Sequence, residues 1–65
     1  MIRIGTRLYG FCGGYFGGAS YEDKKVEAIG FDWVVARRVS SEEVDFAQGD
    51  GILEELEQFT KGSYS

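Results

Sequence analysis

Four basic side chains flank a glycine- and aromatic-rich tract, residues 9–21, and this is where the sequence has most potential for chemistry. The tract and its N-terminal flank hold six of the ten glycines, between Gly5 and Gly18. Guanidinium and ammonium groups bind phosphate, and aromatic rings stack on bases. The sequence therefore supports a site for a nucleotide or another small anionic ligand. The basic residues of this predicted site are Arg3, Arg7, Lys24 and Lys25.

The same tract is equally suited to contact another protein. Glycines at this density indicate positive φ angles or the close approach of another backbone. Aromatic side chains concentrate binding energy at protein interfaces. The tract lacks the Gly-Lys-Ser/Thr ending of a phosphate loop and the spacing of a dinucleotide fingerprint, which favours the protein-contact interpretation. The predicted contacts are Tyr9, Phe11, Tyr15, Phe16 and Tyr21.

The charges are distributed unevenly. Residues 39–65 carry seven acidic groups and only one basic group, Lys61, whereas residues 1–38 carry six basic and four acidic groups. An anionic surface attracts a basic partner and speeds their encounter. Glu42, Glu43 and Asp45 are the predicted steering charges. The net charge of −4 argues against nucleic acid as a partner, because nucleic-acid binding requires a basic surface.

The composition argues against catalysis, a metal or a cofactor. There is no histidine, and Cys12 is the only cysteine, so neither a structural zinc site nor an intrachain disulfide can form. Without a histidine, Cys12 also lacks the usual base that activates a thiol nucleophile. We expect Cys12 to be a small apolar residue in or near the core.

Size and composition favour self-association. A chain of 65 residues buries only about 60% of its unfolded surface, so small domains commonly gain stability from disulfides, metals or oligomerisation. We therefore expect a homodimer or a higher oligomer. The N-terminal residues contain no continuous apolar run, which predicts neither a signal peptide nor a membrane partner. The absence of a disulfide framework fits the cytoplasm.

Hydrophobic periodicity predicts four strands in a single domain, 1–65. Alternation of apolar and polar residues gives a first strand over 2–9, with a possible extension to Cys12. Further strands are predicted over 25–29, 33–37 and 44–47. The segment 30–32 is either a tight turn or a glycine bulge in one long strand. The run from Trp33 to Val35 predicts a central strand buried on both faces, with Trp33 in the core.

A C-terminal helix is predicted over 51–61. Its apolar residues recur every three to four positions, and Asp50 precedes them as the predicted N-cap. The stripe consists of Ile52, Leu53, Leu56 and Phe59. The predicted fold class is α+β, a three- to four-stranded, mostly antiparallel sheet followed by this helix. A small SH3-like open barrel is the alternative.

The overall pattern also resembles a known group of proteins. Four segments carry the resemblance. They are the opening Met-Ile-Arg-Ile-Gly-Thr-Arg-Leu-Tyr-Gly-Phe-Cys-Gly-Gly-Tyr-Phe-Gly, the segment Lys-Val-Glu-Ala-Ile-Gly-Phe-Asp-Trp-Val-Val-Ala-Arg, the pair Phe-Ala and the closing Leu-Glu-Glu-Leu-Glu-Gln-Phe. Together they resemble small accessory proteins of bacteriophages, particularly phages of actinobacteria. The resemblance implies a protein that binds and disables a host protein, including components of antiviral defence, or an oligomeric sponge for nucleotide signals.

These observations lead to one principal hypothesis and two alternatives. The principal hypothesis is a non-enzymatic, phage-type protein that binds a host protein and modulates or inhibits it. The first alternative is a homo-oligomeric binder of a nucleotide or other small anion. The second is a small structural or assembly subunit.

Overall fold

The computed structural model describes residues 2–17 and 21–60 and contains one antiparallel sheet of four strands. The strands follow chain order and form an open sheet, β1-β2-β3-β4, so the α+β prediction is confirmed and the alternative barrel is wrong. One short helix follows β4. The elements are β1 (Arg7–Leu8), a 3₁₀ helix (Cys12–Gly14), β2 (Lys24–Ile29), β3 (Trp33–Arg38), β4 (Val44–Gln48) and α1 (Ile52–Glu57).

The hydrophobic core lies on one face of this sheet. Val34 and Ala36 of β3 point into it, and α1 packs across β3 with Ile52 and Leu56 fully buried. The predicted helical stripe is therefore the packing face of α1, with Leu53 and Phe59 partly buried beside it. The remaining buried residues of the core are Ile2, Leu8, Cys12, Phe16, Val26 and Ala47.

The first strand is much shorter than predicted. Gly5 has a φ of +95°, and the Thr6 N–H donates to the Arg3 carbonyl at 3.0 Å, so the chain turns where the alternation predicted extension. Ile4 is consequently 65% exposed. After Leu8, a positive φ at Gly10 and the 3₁₀ helix prevent an extension to Cys12. The other three strands differ from their predicted bounds by one residue at one end.

The helix is also shorter than the predicted 51–61, and Asp50 is not its N-cap. Gly51 occupies the N-cap position with a left-handed φ of +67° and no side-chain cap. This left-handed residue turns the chain from β4 into α1. The helix ends because the next N–H groups bond three residues back, from Phe59 to Leu56 and from Thr60 to Glu57. Lys61, the predicted last residue, lies outside the described residues.

The hairpin between β2 and β3 depends on the packing of an indole ring over a glycine. The Gly30 N–H donates to the Trp33 carbonyl at 2.9 Å, so 30–32 is a tight turn. A bulge does occur, but between Val26 and Ala28. The Trp33 ring covers Gly30 so closely that an added Cβ would lie 2.0 Å from Nε1.

We predict that Gly30→Ala destabilises the protein, because its methyl group must displace the Trp33 ring. Overpacking of this kind costs about 1–3 kcal/mol. The matched control is Gly49→Ala, whose Cβ would meet the Tyr15 ring at an ordinary 3.8 Å. Urea denaturation followed by circular dichroism measures both variants. Equal losses of unfolding free energy in the two variants would contradict this account of the hairpin.

Candidate functional site

The second face of β3 and β4 carries apolar side chains that no other element covers within the described parts of the chain. Side chains alternate between the two faces of a strand, and residues paired across neighbouring strands share a face. Trp33 pairs with Gln48, Val35 with Phe46 and Arg37 with Val44. We call this surface the open face. Its apolar residues are Ala28, Trp33, Val35, Val44 and Phe46.

Two aromatic rings form the centre of the open face. Phe46 is 56% exposed and Val44 is 51% exposed, whereas Trp33 and Val35 are half-buried. The Trp33 and Phe46 ring centroids lie 6.3 Å apart with 26° between the ring planes, so the rings stack. The prediction of Trp33 as a core residue is wrong, because only Val34 of the Trp-Val-Val run points into the core.

A row of basic side chains borders this apolar patch. Arg7 pairs with Lys25 and Lys25 pairs with Arg37, so one cation from each of β1, β2 and β3 lies on the same face. Like charges directly opposite one another destabilise a sheet. Two ion pairs reduce this repulsion: Asp23 lies 3.6 Å from Arg7, and Glu27 lies 3.3 Å from Arg37. We call these three cations the basic row.

A shallow depression of about 260 Å³ adjoins the basic row. It is lined by Lys25, Glu27, Arg37, Arg38, Val39 and Glu42. Its charged walls and the apolar patch beside it form one continuous amphipathic surface. Arg37 and the apolar residues of β3 and β4 were not among the predicted site residues. The period-two alternation within β3 and within β4 was the signal that could have grouped the apolar residues of each strand on one face.

The predicted basic ligand site does not form as a unit. Lys24 is fully buried, and its Nζ donates to the Glu22 carbonyl at 2.7 Å and lies 5.3 Å from the Phe16 ring centroid. Lys24 is therefore unavailable to a ligand. Consecutive side chains of a strand point to opposite faces, so Lys25 points outward where Lys24 points into the core. Arg3 is exposed in the segment before β1. Only Arg7 and Lys25 of the predicted set come together.

The predicted aromatic contacts also separate. Phe16 is only 6% exposed and belongs to the core, so its prediction as a partner contact is wrong. Tyr15 is half-buried against the core, and Tyr9 is half-buried beneath the Arg7 guanidinium. Phe11 and Tyr21 remain exposed and stack at 5.1 Å. Residues 18–20 of the tract lie outside the described residues.

One basic side chain, Arg38, contacts two of the three predicted acidic steering charges. Arg38 contacts Glu43 at 3.0 Å and Asp45 at 2.8 Å. The hydrogen bond to Asp45 raises the pKa of the Arg38 guanidinium above its ordinary value. Glu42 is exposed in the turn before β4, with a left-handed φ of +65°. One guanidinium therefore serves two of the three carboxylates, and only in part offsets their charge.

Cys12 lies in the core, as predicted. Its side chain is fully buried, and its Sγ donates to the Tyr9 carbonyl at 3.7 Å. Burial raises the pKa of this thiol above its ordinary value of 9.0, an effect that nearby Lys24 opposes. A thiol that is both inaccessible and protonated is a poor nucleophile.

Comparisons with protein-family models, with curated proteins and with solved structures found no match to this chain. Within residues 2–17 and 21–60, no three His, Cys, Asp or Glu side chains are grouped so that they could hold a metal ion. The described chain also contains no helix with the length and apolar character needed to cross a membrane. The open face, with its stacked Trp33 and Phe46 rings, is the candidate site that the strand pairing defines.

We predict that the protein loses stability above pH 9 and that Cys12→Ala removes part of this loss. The thiol of the unfolded chain ionises near pH 9.0, while burial raises the pKa of the same thiol in the folded protein. The buried thiol makes its full contribution to the free energy of unfolding below pH 9. This contribution decreases as the pH rises, by up to about 1.4 kcal/mol per pH unit. Urea denaturation from pH 7 to 10.5 measures both proteins. Parallel pH profiles would contradict the burial of this thiol.

Proposed function

We propose that this chain is a non-enzymatic, protein-binding protein whose contact surface is the open face. The observation that carries the proposal is the stacked Trp33–Phe46 pair, which lies on a sheet face that no other described element covers. Large exposed apolar patches mark interaction surfaces, and buried tryptophan is enriched among the residues that dominate binding energy. The half-buried indole is held in place over Gly30, so it is already ordered for binding.

The charges on the open face indicate the chemistry of the partner. The basic row borders the apolar residues, so a complementary partner presents an apolar patch with acidic side chains at one edge. This differs from the expectation of a basic partner, which depended on Glu42, Glu43 and Asp45, two of which contact Arg38. The partner that we propose is a host protein, modulated or inhibited in the cytoplasm. The resemblance to phage accessory proteins supports that choice.

The geometry gives less support to the alternative of a nucleotide sponge. One of its four basic residues, Lys24, is enclosed in the core, and Arg7 is paired with Asp23. The exposed rings of the tract, Phe11 and Tyr21, stack on each other. This contact occupies one face of each ring, so each ring offers only its other face to a base.

The proposal is tested with a partner purified after affinity capture and identified by mass spectrometry. We predict that Phe46→Ala weakens its binding at least tenfold, because a central aromatic contact is lost. Phe31→Ala is the matched control, since Phe31 is 94% exposed but lies at the hairpin turn. Isothermal titration calorimetry measures both affinities, and circular dichroism confirms that both variants fold.

Two further variants test the charge of the partner and the location of the contact surface. Lys25→Glu reverses the central charge of the basic row and should slow association, most strongly at low salt. Phe11→Ala tests the aromatic tract as a rival contact surface. Loss of binding in Phe11→Ala but not in Phe46→Ala would contradict the proposal. Tight binding of a single-stranded oligonucleotide to the same face, with no protein partner, would contradict it as well.

A further inference from the structure

Strand β4 forms one edge of the sheet. It pairs with β3 on its inner side, and no strand among the described residues pairs with its outer side. An uncovered edge offers unpaired backbone N–H and C=O groups to another strand. The arrangement of these groups follows from the hydrogen bonds at the two ends of the β3–β4 ladder.

Alternate residues of β4 direct their backbone groups away from β3. The Arg38 N–H donates to the Glu43 carbonyl at 2.7 Å, and the Gly49 N–H donates to the Asp32 carbonyl at 2.8 Å. The register between these two pairs is continuous. Hydrogen-bonded pairs alternate along an antiparallel ladder, so residues 45 and 47 bond to β3. The outward backbone groups belong to Val44, Phe46 and Gln48.

Of the devices that block an edge strand, β4 lacks a proline, a bulge and an exposed charge, and it carries one, an inward-pointing charge. The chain has no proline, and the described bulge lies in β2. The strand has one charged side chain, Asp45, which lies on the core side of the sheet and is hydrogen-bonded to Arg38 at 2.8 Å. The three residues with outward backbone groups also place their side chains on the open face, where Val44 and Phe46 are more than half exposed.

We propose that a second copy of this chain pairs with β4 in antiparallel orientation, with Phe46 opposite Phe46 of the other copy. Val44 then lies opposite Gln48 at both ends of the paired segment. All outward backbone groups of these three residues find partners, which gives six hydrogen bonds by the antiparallel pattern. The two copies form one sheet of eight strands around a two-fold axis.

The number of hydrogen bonds favours this register, and so does the charge of Asp45, which Arg38 offsets only in part because it also contacts Glu43. With Phe46 on the axis, each Asp45 lies opposite Ala47 of the other copy. A shift of one residue along each strand toward Glu43 would place Asp45 opposite Asp45, and like charges directly opposite are unfavourable. The opposite shift would remove Val44 from the pairing and leave fewer hydrogen bonds. The symmetric register on Phe46 avoids both costs.

The pairing would also extend the open face. Residues paired across strands share a face, so the open faces of both copies lie on the same side of the joined sheet. The row of rings becomes Trp33, Phe46, Phe46 and Trp33. The pairing itself does not rest on the proposed function, because it requires only the edge of β4 and can be measured without a partner.

Charge substitutions at the two outermost pairs test the register. Val44→Lys combined with Gln48→Glu would place opposite charges together at both ends, and this variant should dimerise at least as tightly as the unmodified protein. Val44→Lys combined with Gln48→Lys would place like charges there and should weaken dimerisation at least tenfold. This second variant brings the net charge of −4 closer to zero, so general repulsion cannot explain its loss.

Sedimentation equilibrium measures dimerisation of the three proteins over a range of concentrations. Amide hydrogen exchange identifies the pairing strand. The Phe46 and Gln48 amides should become protected as concentration rises, while the Asp45 and Ala47 amides are protected throughout. A monomer at every concentration would overturn the proposal. A dimer without protection of Phe46 and Gln48, or one indifferent to the charge pattern, would overturn it as well. A Phe46→Ala variant that still dimerises but no longer binds the partner would support the proposed function and would not bear against the pairing of β4.

Discussion

The sheet has two faces, but the described chain provides a covering layer for only one. Three parts of the chain pack on the same side of the sheet. They are the six residues of α1, the segment before β1 and the loop that follows β1. The alternation of β3 then determines the rest, because placing Val34 and Ala36 in the core leaves Trp33 and Val35 on the opposite face. The open face is therefore a direct consequence of where the single layer packs.

The glycine- and aromatic-rich tract is part of this covering layer. Phe16 is buried beside the Lys24 side chain, and Cys12 is enclosed nearby. A buried ammonium group is costly unless it is hydrogen-bonded, and the Glu22 carbonyl accepts a hydrogen bond from the Lys24 Nζ at 2.7 Å. The positive φ angles of Gly13 and Gly14 let the backbone turn tightly enough to bring these groups together. The glycines of this tract, whose density predicts a contact surface, thus serve largely to let its side chains pack into the core.

The sequence was sufficient for elements whose periodicity is local. Strands β2, β3 and β4 and the apolar stripe of α1 follow from the order of apolar residues. The sequence was insufficient to predict the ends of an element where a single glycine changes the direction of the chain, as Gly5 and Gly51 do. Alternation shows which residues share a face, but not which face is covered, so Trp33 was assigned to the core. The basic row depends on the register of three strands and has no signal in the linear sequence.

Accessibility of Trp33 tests the account most directly, because it is the only tryptophan in the chain. Its fluorescence can be quenched with acrylamide in the folded protein at low concentration and again in urea. The account predicts substantial quenching of the folded protein, at a rate constant between that of a fully buried indole and that of the unfolded chain. Phe46→Ala should increase this quenching, because Phe46 stacks on the indole. A folded monomer whose tryptophan resists quenching would show that this face is covered and would contradict the account.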